Sequence, residues 1–261
     1  MLVKVVQMSS SDNVEYNISK SIDMAGKSGH ADITVFPEYQ MVVPDFSSPE
    51  KTISLAETED GRFVSSMKEL SRDGSTVVIC NGTIRDDSIA VRNRSLIIKD
   101  GSIIWRYDKT HLYDAAGGRE SLIYRYGVLP FRPVQIDDFQ AGILICYDIR
   151  FPDASRSLAV RGADLIIYQA GWFSGKGKLD QWKTLLKARA IETGCYVIGC
   201  AQTGTKFTGH SMVVDPYGRI AGSLGKEEGL LMVEISKKLV SEYREKYPLM
   251  NQRRTDLYSG I

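Results

Sequence analysis

The sequence predicts a single α/β domain with helices on its outer faces and mixed rather than purely parallel sheets. Three observations carry that expectation. β-α-β patterns stand in both halves of the chain, short hairpin-forming strands follow each of them, and no low-complexity linker, charge block or short-period repeat separates the halves. The length of 261 residues agrees, since α/β folds of about 250 residues are often one domain.

The elements read in order as follows. Residues 2–8 form a strand. Residues 13–27 form a helix capped by Asp12, with Glu15 three residues on at capping-box spacing and Val14, Ile18, Ile22 and Ala25 as its buried stripe. Residues 31–36 are a buried strand ending at Pro37. A helix over 62–72 and a strand over 75–81 complete a second β-α-β step, and strands over 90–99, 102–107 and 132–136 follow. The pattern then recurs. Residues 141–146 are a strand, 152–161 a helix with Pro152 at its first position, and 163–169 a strand. A long helix over 179–193 carries Trp182, Leu185, Leu186 and Ile191 on one side. Strands over 195–201 and 210–215 lead to a turn at 215–218. Residues 219–224 then pair as a hairpin with 230–235 across 225–229, and Ser236 caps a last helix that runs to about residue 247.

Composition narrows the function. Lys and Arg number 33 against 32 Asp and Glu, a net charge of +1, which argues against a nucleic-acid or membrane-surface partner. The longest apolar runs fall far short of the ~18 residues that span a bilayer. Residues 1–4 lead straight into a strand with no leader pattern, and Cys80, Cys146, Cys195 and Cys200 form no CxxC pair. The expected setting is cytoplasmic with reduced thiols, and the lack of a resolving CxxC disfavours a thiol redox protein. His30, His111 and His210 are isolated, so no metal-ligand spacing is present, and His111 reads as structural.

Reactive residues stand where three buried strands give way to loops: Glu38 after Phe36-Pro37, Lys109 after Tyr107-Asp108, and Cys146 after Leu144-Ile145. A thiol needs a base to become a thiolate, and a desolvated carboxylate can serve. A lysine can stabilise a developing oxyanion, with the backbone N–H of Tyr147 as a second donor. Together they suit attack on an amide or nitrile through a thioester. Spacing alone does not bring the three together; singly, each reads as a surface carboxylate, a surface ion pair and a core thiol.

FPEYQ (36–40), YDKTHLYD (107–114) and ICYDIRFPD (145–153) resemble, in order, the signature blocks of the nitrilase superfamily of carbon–nitrogen hydrolases. WKTLLKARAIETGCYVIGC (182–200) and GHSMVVDPYG (209–218) resemble two further blocks, so that the likeness covers residues 3 to about 235 of one domain, 1–261. The resemblance implies Glu38 as general base, Lys109 as oxyanion group and Cys146 as nucleophile. It also implies Glu120, in GGRESLIYRYG (117–127), as a supporting glutamate, against the alternative of an exposed loop residue. It implies a four-layer αββα sandwich that pairs into a homodimer or higher homo-oligomer, with residues 236–261 as a C-terminal helix and tail at the contact. No metal or organic cofactor is implied.

Trp172, in YQAGWFSGKGKLDQW (168–182), and the tail RRTDLY (253–258) are similar to bacterial omega-amidases, which act on 2-oxoglutaramate or 2-oxosuccinamate. Such a substrate carries a carboxylate far from its amide. Arg150, four residues after Cys146, is a suitable fork for it, the alternative being a structural or dimer salt bridge. Tyr113 and Tyr39 are expected as pocket walls, and Trp172 has core packing as its alternative. Asp153 stands where many relatives have Glu, the 203–209 loop is short, and 40–49 lacks a glycine turn, departures that bear on the subfamily and substrate rather than on catalysis. A nitrilase or an N-carbamoyl amide hydrolase, which would share the three groups, and a binding protein that keeps the fold without turnover are the alternatives.

Overall fold

The computed structural model describes residues 1–86 and 90–257. In chain order its elements are β1 (Leu2–Gln7), α1 (Val14–Gly26), β2 (Ile33–Val35), α2 (Pro49–Ser54), α3 (Arg62–Asp73), β3 (Val77–Arg85), β4 (Val91–Lys99), β5 (Ser102–Asp108), β6 (Val134–Ile136), β7 (Phe139–Ile145), α4 (Pro152–Val160), β8 (Leu165–Ala170), α5 (Lys178–Thr193), β9 (Tyr196–Ala201), β10 (Met212–Val214), β11 (Ile220–Ser223), β12 (Gly229–Glu234) and α6 (Lys237–Lys246). Tyr258, the last residue of the tail likeness, lies outside the described residues.

The strands form two six-stranded sheets, β12-β1-β2-β3-β4-β5 and β6-β7-β8-β9-β10-β11. Both follow one plan. Three central strands run parallel (β1-β2-β3 and β7-β8-β9), and every other neighbour is antiparallel. The sheets are therefore mixed, as the alternation of β-α-β units and hairpins predicts.

Strand periodicity sets the layers. Val3 and Val5 of β1 join the inter-sheet core with Ile33, Val35, Ile143, Ile145 and Ile167. Lys4 points to the other face, where its ammonium donates to the carbonyls of Ala25 (2.7 Å) and Gly29 (2.6 Å). α1 and α3 cover that outer face through Ile18, Met24, Phe63, Val64 and Met67. α4 and α5 cover the second sheet. A side chain at Gly199 would place Cβ 2.5 Å from Leu186 and 2.6 Å from Trp182, so glycine there lets α5 seat fully on β9. Polar bridges also cross between the sheets: Gln169 Nε2 donates to Phe36 O (2.7 Å), and Cys200 Sγ contacts Val6 O (3.3 Å) and Val35 O (3.4 Å). The result is an αββα sandwich.

Five sequence expectations need correction. Asn13, not Asp12, caps α1: its side chain accepts from Tyr16 N (3.0 Å), while Asp12 pairs with Lys51 (2.8 Å). The buried face of α1 is Asn17, Ile18, Ser21, Met24 and Ala25, and Ile22 is 44% exposed. Asn17 takes an inward place because its amide bonds Ser11 O and Met41 O (2.9 Å each). On α5, Ile191 is exposed, and Arg189 turns inward to bond Ile149 O instead. Ser236 precedes α6 without a side-chain cap.

The fifth correction is topological. β11 and β12 form no hairpin: β11 pairs with β10 and β12 pairs with β1, in different sheets. The glycine-bearing segment 224–229 carries the chain across the sandwich. Gly222 then meets Val233 and Leu231 face to face rather than edge to edge. The short helix α2 also had no periodic signal to reveal it.

Candidate active site

The site forms at the C-terminal ends of the parallel strands, where an α/β sheet opens. β2 delivers Glu38, β7 delivers Cys146 and β8 delivers Gly171. Cys146 opens a 3₁₀ turn (Cys146–Arg150) with a left-handed φ of 44°. Such a conformation costs about 1–3 kcal/mol in a non-glycine residue and persists only where its surroundings impose it.

Asp148, fully buried, imposes it. Its carboxylate accepts from Ile145 N (2.9 Å) and Tyr107 OH (2.7 Å), and from His111 N (3.0 Å). His111 Nδ1 lies 2.7 Å away, and the His111 ring stacks on Phe151 at 3.7 Å, which gives His111 the structural place read from sequence. Asp148 thus ties the Cys146 turn to the segment that carries Lys109.

Lys109 is 1% exposed and lies between two fully buried carboxylates. Its ammonium is 2.7 Å from Glu38 Oε1 and 2.8 Å from Glu120 Oε2. Glu38 also accepts from Asn93 Nδ2 (2.8 Å) and Gly171 N (2.6 Å). Glu120 accepts from Tyr39 OH (2.5 Å) and Tyr113 N (2.7 Å), so it is a buried network member and not an exposed loop residue. Each carboxylate oxygen has a donor, which is what makes two buried acids tolerable.

The electrostatics follow from this packing. Burial raises the Glu38 carboxyl above the usual range, against the opposing charge of Lys109. Burial would lower the Lys109 amine, but the Glu120 and Glu38 carboxylates outweigh it and hold the amine well above its usual value. Burial, and then the Glu38 charge, push the Cys146 thiol well up. The resting site therefore holds a protonated thiol, a firmly charged amine and a carboxylate disposed to take a proton. Burial also raises the other thiols: Cys80 goes up to about 12, and Cys195 and Cys200 shift upward as well. They are sealed in the core at 0% exposure, whereas Cys146 opens on a cavity.

That cavity is narrow, and Tyr39, Tyr113, Tyr147, Arg150, Trp172 and Lys178 join Cys146 and Lys109 around it. Tyr147 holds the second position of the 3₁₀ turn, and the first amides of such a turn have no acceptor within it. Trp172 lines the cavity and packs on Trp182 at 5.3 Å. Its indole N–H donates to Lys178 O (2.8 Å). Tyr113 meets Tyr147 edge-on at 5.1 Å. The Arg150 guanidinium lies 4.9 Å from the Trp172 ring and donates to Gln181 Oε1 (2.7 Å). Among the described residues it forms no ion pair, so the intrachain salt bridge is absent. Asp153 reaches only Arg156, at 3.8 Å on the surface.

Sequence reading did not single out Asn93, Asp148 or Lys178. Asn93 left a signal: it occupies an inward position of β4 where an apolar residue would be ordinary. Its Oδ1 accepts from Asn81 Nδ2 (2.8 Å), fixing the amide so that its NH₂ faces Glu38. Lys178 left none, being one cation in a glycine-rich loop.

Among the described residues no group of three His, Cys, Asp or Glu side chains could hold a metal ion, and no helix is long and apolar enough to cross a membrane. The arrangement can do nucleophilic chemistry on a carbonyl carbon: a thiol, a proton acceptor, and a cation for the developing oxyanion.

The family model described as "Carbon-nitrogen hydrolase" matches residues 2–245. The 2-oxoglutaramate amidase of Bacillus subtilis (strain 168) is 34% identical over 238 residues, covering 89% of this chain and 88% of that protein. The deaminated glutathione amidase of Rattus norvegicus is 31% identical over 278 residues, covering 100% and 84%. Among solved structures, the Caenorhabditis elegans NitFhit protein superposes with a TM-score of 0.91 at 32% identity, covering 98% of this chain and 66% of that one. A CN-hydrolase superfamily protein from Xanthomonas campestris, with an arsenic adduct in its active site, gives 0.85 at 26% identity, covering 97% of each chain.

Proposed function

This chain belongs to the carbon-nitrogen hydrolase family, and from that premise we propose that it is a cysteine amidase of small omega-carboxamides such as 2-oxoglutaramate and 2-oxosuccinamate. Cys146 Sγ attacks the amide carbon while its proton passes to Glu38. The carbonyl oxygen becomes an oxyanion held by Lys109 and the Tyr147 N–H. Collapse breaks the C–N bond, Glu38 returns the proton to the departing nitrogen, and ammonia leaves a thioester on Cys146. Water then attacks the thioester, giving a proton to Glu38. The carboxylic acid departs and the thiol regains its proton. Glu120 holds Lys109 in place. No cofactor takes part. The observation that carries this reading is the Lys109 ammonium clamped between Glu38 and Glu120 beside the one described thiol that opens on a cavity.

The substrate class rests on Arg150. A guanidinium without a carboxylate partner in a narrow cavity suits a substrate carboxylate, bound as a fork. Ammonia release should be measured from 2-oxoglutaramate, glutaramate, succinamate, N-carbamoyl acids and small nitriles. The expected result is ammonia from the omega-amides; carbon dioxide from carbamoyl acids, or turnover of nitriles alone, would replace this reading with the carbamoylase or nitrilase one. Relatives that include the Rattus norvegicus deaminated glutathione amidase favour a second reading, in which the leaving group is a larger amine. Release of an amine from such a substrate, faster than ammonia from 2-oxoglutaramate, would select it. Arg150→Lys should raise KM for glutaramate about tenfold with kcat little changed, because an ammonium cannot reproduce the fork. An unchanged KM with lowered stability would assign Arg150 to the fold alone.

A second copy of the chain is the proposed partner, with residues 236–261 at the contact. A reduced, cytoplasmic setting suits the four free cysteines.

A further inference from the structure

Lys178 starts α5 directly after Gly177, whose backbone is left-handed (φ 71°). Its carbonyl is pinned by the Trp172 indole N–H, so its Cα position is fixed relative to the cavity wall. Its ammonium lies 4.8 Å from the centre of the Trp172 ring and 5.7 Å from that of Tyr113. Arg150 lies over the same Trp172 ring, and Gln181, one turn into α5 from Lys178, accepts its hydrogen bond. Burial, and then the charge of Arg150, lower the Lys178 amine. Among the described residues neither cation has a carboxylate partner. Two like charges thus border the same indole ring and line the same cavity with no carboxylate partner, an arrangement that disfavours the empty site and favours an anionic ligand.

We propose that Lys178 is a specificity-determining residue that, with Arg150, forms a two-cation clamp selecting amides with an anionic far end over neutral amides of the same length. Neither cation belongs to the buried Glu38–Lys109–Glu120 cluster, and both line the cavity on which Cys146 opens, so the clamp is assigned to the group that does not react. The inference rests on the amidase reading for its substrate, but not for its binding site.

The test compares glutaramate with glutardiamide, which keeps the reacting amide and replaces the far carboxylate by a neutral one. In Lys178→Met the ratio of kcat/KM for glutaramate over glutardiamide should fall about tenfold, and Lys178→Arg should restore most of it. A loss shared equally by both substrates, or no change in the ratio, would overturn the proposal. A second measurement needs no turnover: glutarate should protect Cys146 from iodoacetamide, and Lys178→Met should require about tenfold more glutarate for equal protection. If the wild-type chain releases no ammonia from any amide yet shows this protection and its dependence on Lys178, the amidase reading fails and the clamp stands. If glutarate gives no protection, or protects both proteins alike, the clamp fails.

Discussion

Cys146→Ala is expected to abolish ammonia release, a loss of about 10⁴–10⁶ in kcat, the scale seen when a nucleophile is removed from a triad acting as a unit. The structure explains why so large a loss should come without unfolding. The thiol faces the cavity rather than the core, and the turn that presents it is held by the Asp148 carboxylate, which is untouched in the variant. Alanine meets the same left-handed φ of 44° that cysteine already occupies, so backbone strain is unchanged. Thermal unfolding followed by circular dichroism should therefore show a stability change on the order of 1 kcal/mol or less. Cys146→Ser should be nearly as inactive, because a hydroxyl is a far weaker nucleophile opposite a carboxylate base. Appreciable turnover in either variant would remove Cys146 from the mechanism.

Lys109→Ala should act on both rate and stability. One oxyanion donor is typically worth about 10²–10³ in kcat. Here the lost group is also the counter-ion of Glu38, so the base changes character along with the oxyanion site. Removing one partner of a buried ion pair costs roughly 3–5 kcal/mol, because the remaining charge is left uncompensated. Two such charges remain here, those of Glu38 and Glu120. Without Lys109, burial and the charge of Glu120 raise the folded-state pKa of Glu38 further above its unfolded value. A raised folded value contributes stability at pH below the unfolded value, and that contribution is lost as pH rises through the folded one. The variant should thus lose more stability relative to wild type at neutral pH than at mildly acidic pH. Urea denaturation at the two pH values measures this; equal losses at both would contradict the account of the charge cluster.

Much of the architecture was legible because it rests on periodicity. The alternation of Val3 and Val5 with Lys4, and the apolar runs that end at Phe36 and Ile145, place the parallel strands and the residues just beyond them. Glu38, Lys109 and Cys146 were visible there, with Glu120 named by resemblance. What escaped depends on contacts distant in sequence. Nothing local tells residues 219–224 that their backbone partner is β10 and not the run just downstream, since the choice turns on which sheet has an open edge. Asn17 and Arg189 displaced Ile22 and Ile191 from buried faces because each found carbonyls to bond, a compensation invisible to a hydrophobic pattern. Lys178 acquires meaning only from Trp172 and Arg150 beside it.

The central claim is that the C–N bond is broken through a thioester on Cys146. Rapid acid quench of the protein during turnover of glutaramate, followed by peptide mass mapping, tests it directly. The account predicts an acyl adduct on the peptide containing Cys146, formed as ammonia is released and lost to added hydroxylamine. Ammonia release with no adduct on that peptide, or an adduct on Cys80, Cys195 or Cys200 instead, would contradict it.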